Sequence, residues 1–205
     1  RQAMEGSDST GDEILRFLEE GAKQAVTLEK RIASALSKPS GIDYPRSPFG
    51  RHLEIIARLV ATSDRGAVHF VQLTGFDTHA GQPESHPILL GVFAAAVAAL
   101  IRDLKASRCF SNTALFVYSE FGRRVRENAS LGTDHGKAGP AFVLGGGVDG
   151  GLKGAPPDLD ELDEGDLKHT IDLRAIQAEL AEGFLGFPAA DDAVGRSGPA
   201  LFKRR

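Results

Sequence analysis

Apolar residues recur at helical spacing in four stretches of the chain, and this periodicity predicts four helices. The stretches cover residues 12–36, 49–61, 87–106 and 172–184. Pro87 suits the first turn of the third helix, where a backbone N–H group has no partner to lose. Asp172 suits the N-cap of the fourth helix, because its carboxylate can accept hydrogen bonds from the first free N–H groups.

Three shorter runs are rich in β-branched and aromatic residues and predict strands at residues 67–74, 113–118 and 140–144. Because strands alternate with helices, the order predicts an α/β fold with a mostly parallel sheet flanked by helices. The glycine-rich stretch 145–154 predicts a tight turn, since it lacks the GxxxxGK[ST] sequence of a phosphate-binding loop.

The pattern divides the chain into an N-terminal helical segment and loop (residues 1–44), an α/β region (45–187) and an irregular tail (188–205). Hydrophobic residues make up 41% of the sequence and charged residues 25%, as is typical of a soluble globular protein. With 205 residues, the chain is long enough to bury a hydrophobic core.

Charge and apolar content disfavour several classes of function. The net charge is −4 and the basic residues are scattered, apart from the cluster Arg123, Arg124 and Arg126, so nucleic acid is not a favoured partner. The longest apolar run, residues 88–101, is rich in alanine, and it predicts a buried helix and no membrane span. A single cysteine, Cys109, excludes an internal disulfide.

Two glycine-flanked loops each carry an aspartate and a histidine. Asp77 and His79 lie in GFDTH, and Asp134 and His135 lie in GTDHG. Ligands of α/β sheets bind at loops beyond the strand ends, and carboxylate with imidazole is a ligand set that zinc prefers. We therefore expect these four side chains to bind one or two divalent metal ions. Each loop taken alone also fits an Asx turn, in which the aspartate bonds to nearby amides.

Charged residues after the second predicted strand extend the candidate site. Arg123 and Arg124 are expected to bind the anionic group of a substrate, because a guanidinium holds an oxyanion through two N–H groups. A solvated arginine surface is the alternative. Glu120 either ligates metal or pairs with an arginine, and we favour the pairing.

Several motifs follow one another in a specific order: GFDTH, SEFGRR with a later EN, GTDHG, and the glycine element at 146–151. Together they resemble the DUF1501 family of bacterial proteins, and residues 170–174 resemble the closing pattern of that family. The resemblance covers about residues 45–185. It implies membership of the alkaline phosphatase and sulfatase superfamily, and hence an alkaline-phosphatase-like fold for the α/β region.

The resemblance also implies roles for individual residues. Asp134 and His135 look like the adjacent Asp-His metal ligands of the superfamily. Asp77 with His79, or with His86 in its place, looks like the pair that serves the other metal position. In such a site one ion activates the attacking group while the other stabilises the leaving oxygen.

The sequence departs from the superfamily at its N-terminal half, which should supply a further metal-binding aspartate and the nucleophile. No glycine-aspartate motif after a strand precedes Ala67, and Cys109 is followed by Phe-Ser-Asn rather than by the sulfatase pattern x-Pro-x-Arg. We therefore expect the C-terminal half of a longer protein, or a half-domain completed by a partner chain, and the catalytic residue is unknown.

Family members often carry a twin-arginine export signal, so the resemblance implies an exported or periplasmic protein whose signal lies outside these residues. The residues themselves leave a cytoplasmic location open.

Two functions from different classes fit these observations. The first is a metal-dependent hydrolase module for small anionic esters of phosphate or sulfate, with zinc as a candidate ion. The second is a non-catalytic relative of the same fold that acts in binding or assembly, with the N-terminal helix as a docking surface. Purely structural turns at both Asp/His loops are a third and less favoured interpretation.

Overall fold

The computed structural model describes residues 9–37, 40–62, 66–188 and 198–202. Its helices and strands are α1 (Ser9–Leu36), α2 (Pro48–Thr62), α3 (Gln82–Ala106), β1 (Ala114–Val117), β2 (Gly122–Arg123), β3 (His135–Gly136), β4 (Phe142–Gly145) and α4 (Leu173–Glu179). A short 3₁₀ turn precedes β1 and a π-helical turn, Leu180–Leu185, follows α4. The described residues therefore form a mixed α/β structure with four helices, and all four predicted helices are confirmed.

The hydrophobic core lies between α2 and α3. Leu53 of α2 is only 1% exposed, and the rings of Phe49 and Phe93 stack with their centroids 6.3 Å apart. The hydroxyl of Tyr44 donates a hydrogen bond of 3.1 Å to Asp103 of α3, which ties the loop before α2 to this core. The buried members of the core are Tyr44, Phe49, Leu53, Ala57, Ala96, Val97, Ala99, Leu100 and Leu104.

Helix α3 begins at Gln82 and not at Pro87, which lies inside the helix. Pro83 occupies the first turn, where the lack of an N–H group is tolerated, and this is the role that the sequence pattern assigned to Pro87. In the part of the chain that the structure describes, α3 alone is long and apolar enough to cross a membrane, judged by length and composition only. Core helices of soluble proteins meet the same criterion, so the absence of a membrane span stays a prediction.

Helix α1 lies largely in solvent. Its contact with α2 is at its C-terminal end, where Ala35 is 1% exposed and Arg58 of α2 donates a hydrogen bond of 3.1 Å to the carbonyl of Leu36. Apolar side chains earlier in the helix are exposed, and Phe17 is exposed by 79%. The described residues therefore cover the apolar face of α1 only near its C-terminal end.

The described strands form two antiparallel pairs. Strand β1 pairs with β4, and Phe116 lies opposite Val143. Strand β2 pairs with β3, so that Arg123 lies opposite His135. The predicted strands at 113–118 and 140–144 are thus confirmed as β1 and β4, whereas the described residues show no parallel pairing of the kind that the alternation of elements predicted.

The predicted strand at 67–74 is wrong as a paired strand. Residues 66–75 belong to no helix or strand, and their backbone makes no hydrogen bond to another described residue. Val71 and Leu73 pack against the core, while Val68 and Phe70 are 80% and 77% exposed. The apolar pattern is that of a buried strand, but the described chain supplies no neighbouring strand to cover its outer side.

Residues near the C-terminus contact earlier parts of the chain. Asp172 caps α4 and accepts a hydrogen bond of 2.9 Å from the backbone N–H of Arg174, as predicted. Phe202 forms a β-bridge with Val148, and the carboxylate of Glu179 accepts the N–H group of Leu201 at 2.7 Å. Most of the predicted irregular tail lies outside the described residues, as do residues 1–8.

Candidate metal centre

Backbone hydrogen bonds bring the two Asp/His loops together. The N–H group of Gly81 donates to the carbonyl of Ser130 at 3.1 Å, and the N–H group of Gln82 donates to the carbonyl of Leu131 at 2.8 Å. Gly132 lies directly against His79, and a methyl group added at Gly132 would overlap the carbonyl group of His79. Glycine is thus required at 132 because the two backbones touch there.

Three side chains from these loops converge on one point. Oδ1 of Asp77 lies 2.9 Å from Nε2 of His79 and 2.8 Å from Nε2 of His135, and the two Nε2 atoms are 3.2 Å apart. A carboxylate oxygen and two imidazole nitrogens are ligands that zinc takes, and these three atoms are close enough together for one ion to be held by all of them. The donor set and its spacing therefore fit a divalent ion.

The three converging side chains are half-exposed, with side-chain exposures of 57% for Asp77 and 48% for each histidine. Catalytic zinc sites commonly have three protein ligands and one open position, whereas structural sites are closed by four. The hydrogen bond with His135 is the main cause that holds the pKa of the Asp77 carboxyl below its usual range. The carboxylate is therefore ionised at neutral pH, as a metal ligand must be.

Asp134, the fourth predicted ligand, contacts the other nitrogen of the His79 ring. Its Oδ1 lies 3.2 Å from Nδ1 of His79 and accepts a hydrogen bond of 3.3 Å from Nδ2 of Asn128. These two hydrogen bonds, that with His79 first, lower the pKa of the Asp134 carboxyl. The structure thus brings Asp77, His79 and His135 together and places Asp134 behind His79.

Arg123 connects the two loops. Its guanidinium donates hydrogen bonds to the carbonyls of Phe76 and Thr133, and it lies 3.4 Å from Oδ1 of Asp77. It also lies over the ring of Phe121, 5.0 Å from the ring centroid. These contacts hold the loop of Asp77 against the loop of His135, and they occupy N–H groups that were expected to bind a substrate anion.

Arg124 contacts an acidic turn that follows the glycine-rich region. Its Nη1 donates a hydrogen bond of 2.7 Å to the carbonyl of Glu164, and its Nε lies 3.6 Å from the buried carboxylate of Asp166. Lys137 adds a second cation, 2.8 Å from Asp163, and the hydrogen bond with Asp163 is the main cause that raises the pKa of Lys137. Arg124 therefore fastens this turn to β2.

Two further candidates lie apart from the converging ligands. Glu120 is exposed and makes no hydrogen bond or ion pair with a described residue. His86 is partly buried and meets the ring of Phe76 edge-on, with centroids 5.5 Å apart, and its Nδ1 has no hydrogen-bond partner among the described residues. The structure does not bring either side chain into the cluster of Asp77 and its two histidines.

Asn128 and Phe121 are parts of the site for which the sequence predicted no role. Oδ1 of Asn128 accepts the N–H groups of Ser130 and Gly132 at 2.9 and 3.1 Å, which is an Asx turn. Asn128, Ser130 and Gly132 lie close together in the sequence, and clusters of such residues indicate loops, so the place of Asn128 in a loop could have been predicted. Its bonds to Asp134 and to the carbonyl of His79 depend on tertiary structure and could not.

Comparison with known proteins identifies a family. The family model described as a protein of unknown function (DUF1501) matches residues 1–180. No curated protein and no solved structure is significantly similar to the chain. Because the family model covers most of the sequence, the chain belongs to the DUF1501 family.

Proposed function

We propose that this chain carries the metal-binding part of an active site that hydrolyses phosphate or sulfate esters. The observation that carries the proposal is the triangle of ligand atoms formed by Asp77, His79 and His135, with sides of 2.8 to 3.2 Å. One carboxylate oxygen and two imidazole nitrogens this close together are a donor set that suits a divalent ion. The order of the sequence motifs supports the same superfamily, that of alkaline phosphatases and sulfatases.

A bound zinc ion would polarise the ester oxygen and neutralise charge on the leaving group. The chain itself contributes the shape and charge of the site. The carboxylate of Asp77 would offset one of the two positive charges of a bound divalent ion. Arg123 fixes Asp77 relative to His135 through its hydrogen bonds to both loops. The half-exposed ligands leave one side of the site accessible to a small anionic ester.

We further propose that the nucleophile and any second set of metal ligands come from a part of the protein, or from a partner chain, that pairs with segment 66–74. The exposed side chains of Val68 and Phe70 and the unpaired backbone around them support this, because an open apolar edge favours the addition of a strand. A strand from a partner chain, or from another part of a longer protein, would extend the structure into the mostly parallel sheet of an alkaline-phosphatase-like fold.

The second candidate function is binding or assembly without catalysis. The exposed apolar face of α1, including Phe17, favours this role, since contiguous exposed apolar side chains mark interaction surfaces. A metal ion at the same three ligands would then stabilise the loop geometry instead of acting on a substrate.

Zinc titration followed by calorimetry tests the first proposal. We expect the wild-type chain to bind about one ion, and His79→Ala or His135→Ala to abolish binding, because losing one of three ligands leaves too few donors. His52→Ala is the matched control, since His52 is exposed on α2 and lies outside the ligand cluster. A wild-type chain that binds no zinc, or variants that bind as well as wild type, would contradict the metal site.

Activity separates the two candidate functions. The zinc-loaded chain and the longest available gene product are assayed with p-nitrophenyl phosphate and p-nitrophenyl sulfate. Zinc-dependent hydrolysis that is lost in His135→Ala supports the hydrolase. Zinc binding without hydrolysis by either protein supports the binding role.

A further inference from the structure

We propose that Asp134 and Asn128 form a positioning pair that fixes the tautomer and orientation of His79, so that Asp134 is not itself a ligand of the ion held by His79. This inference rests on the proposed metal site and assigns a role to each of the two residues within it. It concerns the atoms behind the imidazole ring of His79 and not the converging ligand atoms.

The chemistry of imidazole gives the first argument. A neutral ring carries its proton on one nitrogen and its lone pair on the other, and only the nitrogen with the lone pair can bind a metal. Oδ1 of Asp134 lies 3.2 Å from Nδ1 of His79, and the opposite nitrogen, Nε2, faces Asp77. A carboxylate that accepts the Nδ1–H group leaves the lone pair on Nε2, where the ion would lie.

The side chain of Asn128 gives the second argument. Its Nδ2 donates to Oδ1 of Asp134 at 3.3 Å and to the carbonyl of His79 at 3.0 Å. Its Oδ1 accepts the N–H groups of Ser130 and Gly132. Both donor hydrogens and both acceptor positions are used, so the amide has one orientation. Reversing it would place its oxygen against two other oxygens, and Asp134 is therefore held in place.

The backbone gives the third argument. His135 begins β3 and directs its ring to the triangle with Asp77, and the carbonyl of the preceding residue, Asp134, accepts the N–H group of Arg124 at 3.0 Å. The side chains of Asp134 and His135 meet the ring of His79 at different nitrogens, Oδ1 of Asp134 at Nδ1 and Nε2 of His135 at Nε2.

The test measures zinc affinity by competition with a chromophoric chelator, using zinc alone as the probe. Asp134→Ala should weaken zinc binding by about 10–100-fold, the usual effect of losing the partner behind a metal-bound histidine. Asp134→Asn should recover most of that loss, to within about tenfold of wild type, because an amide oxygen still accepts the Nδ1–H group. Asn128→Ala should give an intermediate loss, and Asp43→Ala, at an exposed loop position, is the control.

The second readout is the imidazole proton itself, observed by NMR in zinc-loaded protein labelled with ¹⁵N-histidine. A hydrogen-bonded Nδ1–H resonance of His79 should be present in wild type and in Asp134→Asn, and should be lost in Asp134→Ala through exchange with water. A purely structural contribution of Asp134 to folding would not produce this pattern, and thermal unfolding of each variant checks that it is folded.

The outcomes separate this proposal from the one on which it rests. A wild-type chain without zinc affinity contradicts the metal site. A wild-type chain that binds zinc, with Asp134→Ala unchanged in affinity and in the Nδ1–H resonance, contradicts only the positioning pair. Equal and complete loss of binding in Asp134→Ala, Asp134→Asn and His79→Ala would make Asp134 a ligand and overturn the proposed role.

Discussion

The ring of Phe121 lies flat against the ring of His135, with centroids 3.9 Å apart and an interplanar angle of 7°. Phe121 precedes β2 and His135 begins β3, so the stack forms beside the antiparallel pair that also joins Arg123 to His135. The stack leaves His135 little freedom to turn about its side-chain bonds. The direction of its Nε2 towards Asp77 is therefore fixed before any ion binds.

Replacing Phe121 by leucine should weaken zinc binding by about 2–10-fold, because an aromatic stack contributes about 0.5–1.5 kcal/mol beyond its buried area. The ligand atoms of His135 remain, so binding should be weakened and not abolished. Competition titration with zinc measures the change. Phe187→Leu removes an exposed ring that stacks on no other ring among the described residues, and it should leave the affinity unchanged. An unchanged affinity in Phe121→Leu would show that the stack does not orient the histidine.

Gly132→Ala should separate the two loops. The added methyl group would overlap the backbone of His79, and overpacking of this kind costs about 1–3 kcal/mol of folding free energy. We expect a lower midpoint of thermal unfolding together with a loss of zinc affinity, since the loops position all three ligands. The matched control is Gly150→Ala, where a methyl group meets no atom within 4 Å. Equal effects of the two substitutions would contradict the close approach at Gly132.

The local elements were predictable because each depends on neighbouring residues in the sequence. The periodicity of α2 and the cap at Asp172 are examples, and both agree with the structure. Residues 67–74 show the limit of such patterns. Their apolar alternation is that of a strand, but a strand exists only if another strand lies beside it, and the described residues provide none.

The residue types of the site could be predicted from the sequence, but the contacts between their side chains could not. The residue types in GFDTH and GTDHG indicate metal ligands, and the structure brings three of the four together. The contacts between these side chains join residues that are far apart in the sequence. Arg123 and His135 both contact Asp77, over separations of 46 and 58 residues. Such contacts follow from how α3 and the β2–β3 pair place the loops, and no local pattern encodes them.

Tyr44 should make the fold sensitive to alkaline pH. Burial, together with the neighbouring carboxylate of Asp103, raises the pKa of the Tyr44 hydroxyl well above the ordinary value of a tyrosine. The unfolded chain therefore ionises at this position near pH 10 while the folded chain stays neutral. The neutral Tyr44 hydroxyl therefore contributes its full stabilisation below about pH 10. Above that pH the free energy of unfolding falls by up to about 1.4 kcal/mol per pH unit, because the unfolded chain loses a proton that the folded chain keeps.

Urea unfolding at pH 7 and above pH 10 measures this loss. Tyr44→Phe should remove the pH-dependent step, and at pH 7 it should cost about 1–2 kcal/mol through the lost hydrogen bond to Asp103. The exposed Tyr118 supplies the control substitution Tyr118→Phe, which should keep the alkaline step. A Tyr44→Phe protein that loses stability above pH 10 as steeply as wild type would rule out Tyr44 as the cause.

Substitutions of two phenylalanines test whether segment 66–74 is uncovered in the isolated chain. Phe49 is 7% exposed in the core, and Phe49→Ala should lower the free energy of unfolding by about 3–5 kcal/mol. Phe70 is 77% exposed, and Phe70→Ala should change it by less than about 0.5 kcal/mol, because little apolar surface is lost from contact. Urea unfolding of the isolated chain at two protein concentrations measures both effects.

A large cost for Phe70→Ala that grows with concentration would mean that a second copy of the chain covers the segment. A large cost independent of concentration would mean that the chain covers it by itself. A small cost agrees with an edge that is free until a strand of another polypeptide or another part of a longer protein pairs with it, as the proposed active site requires.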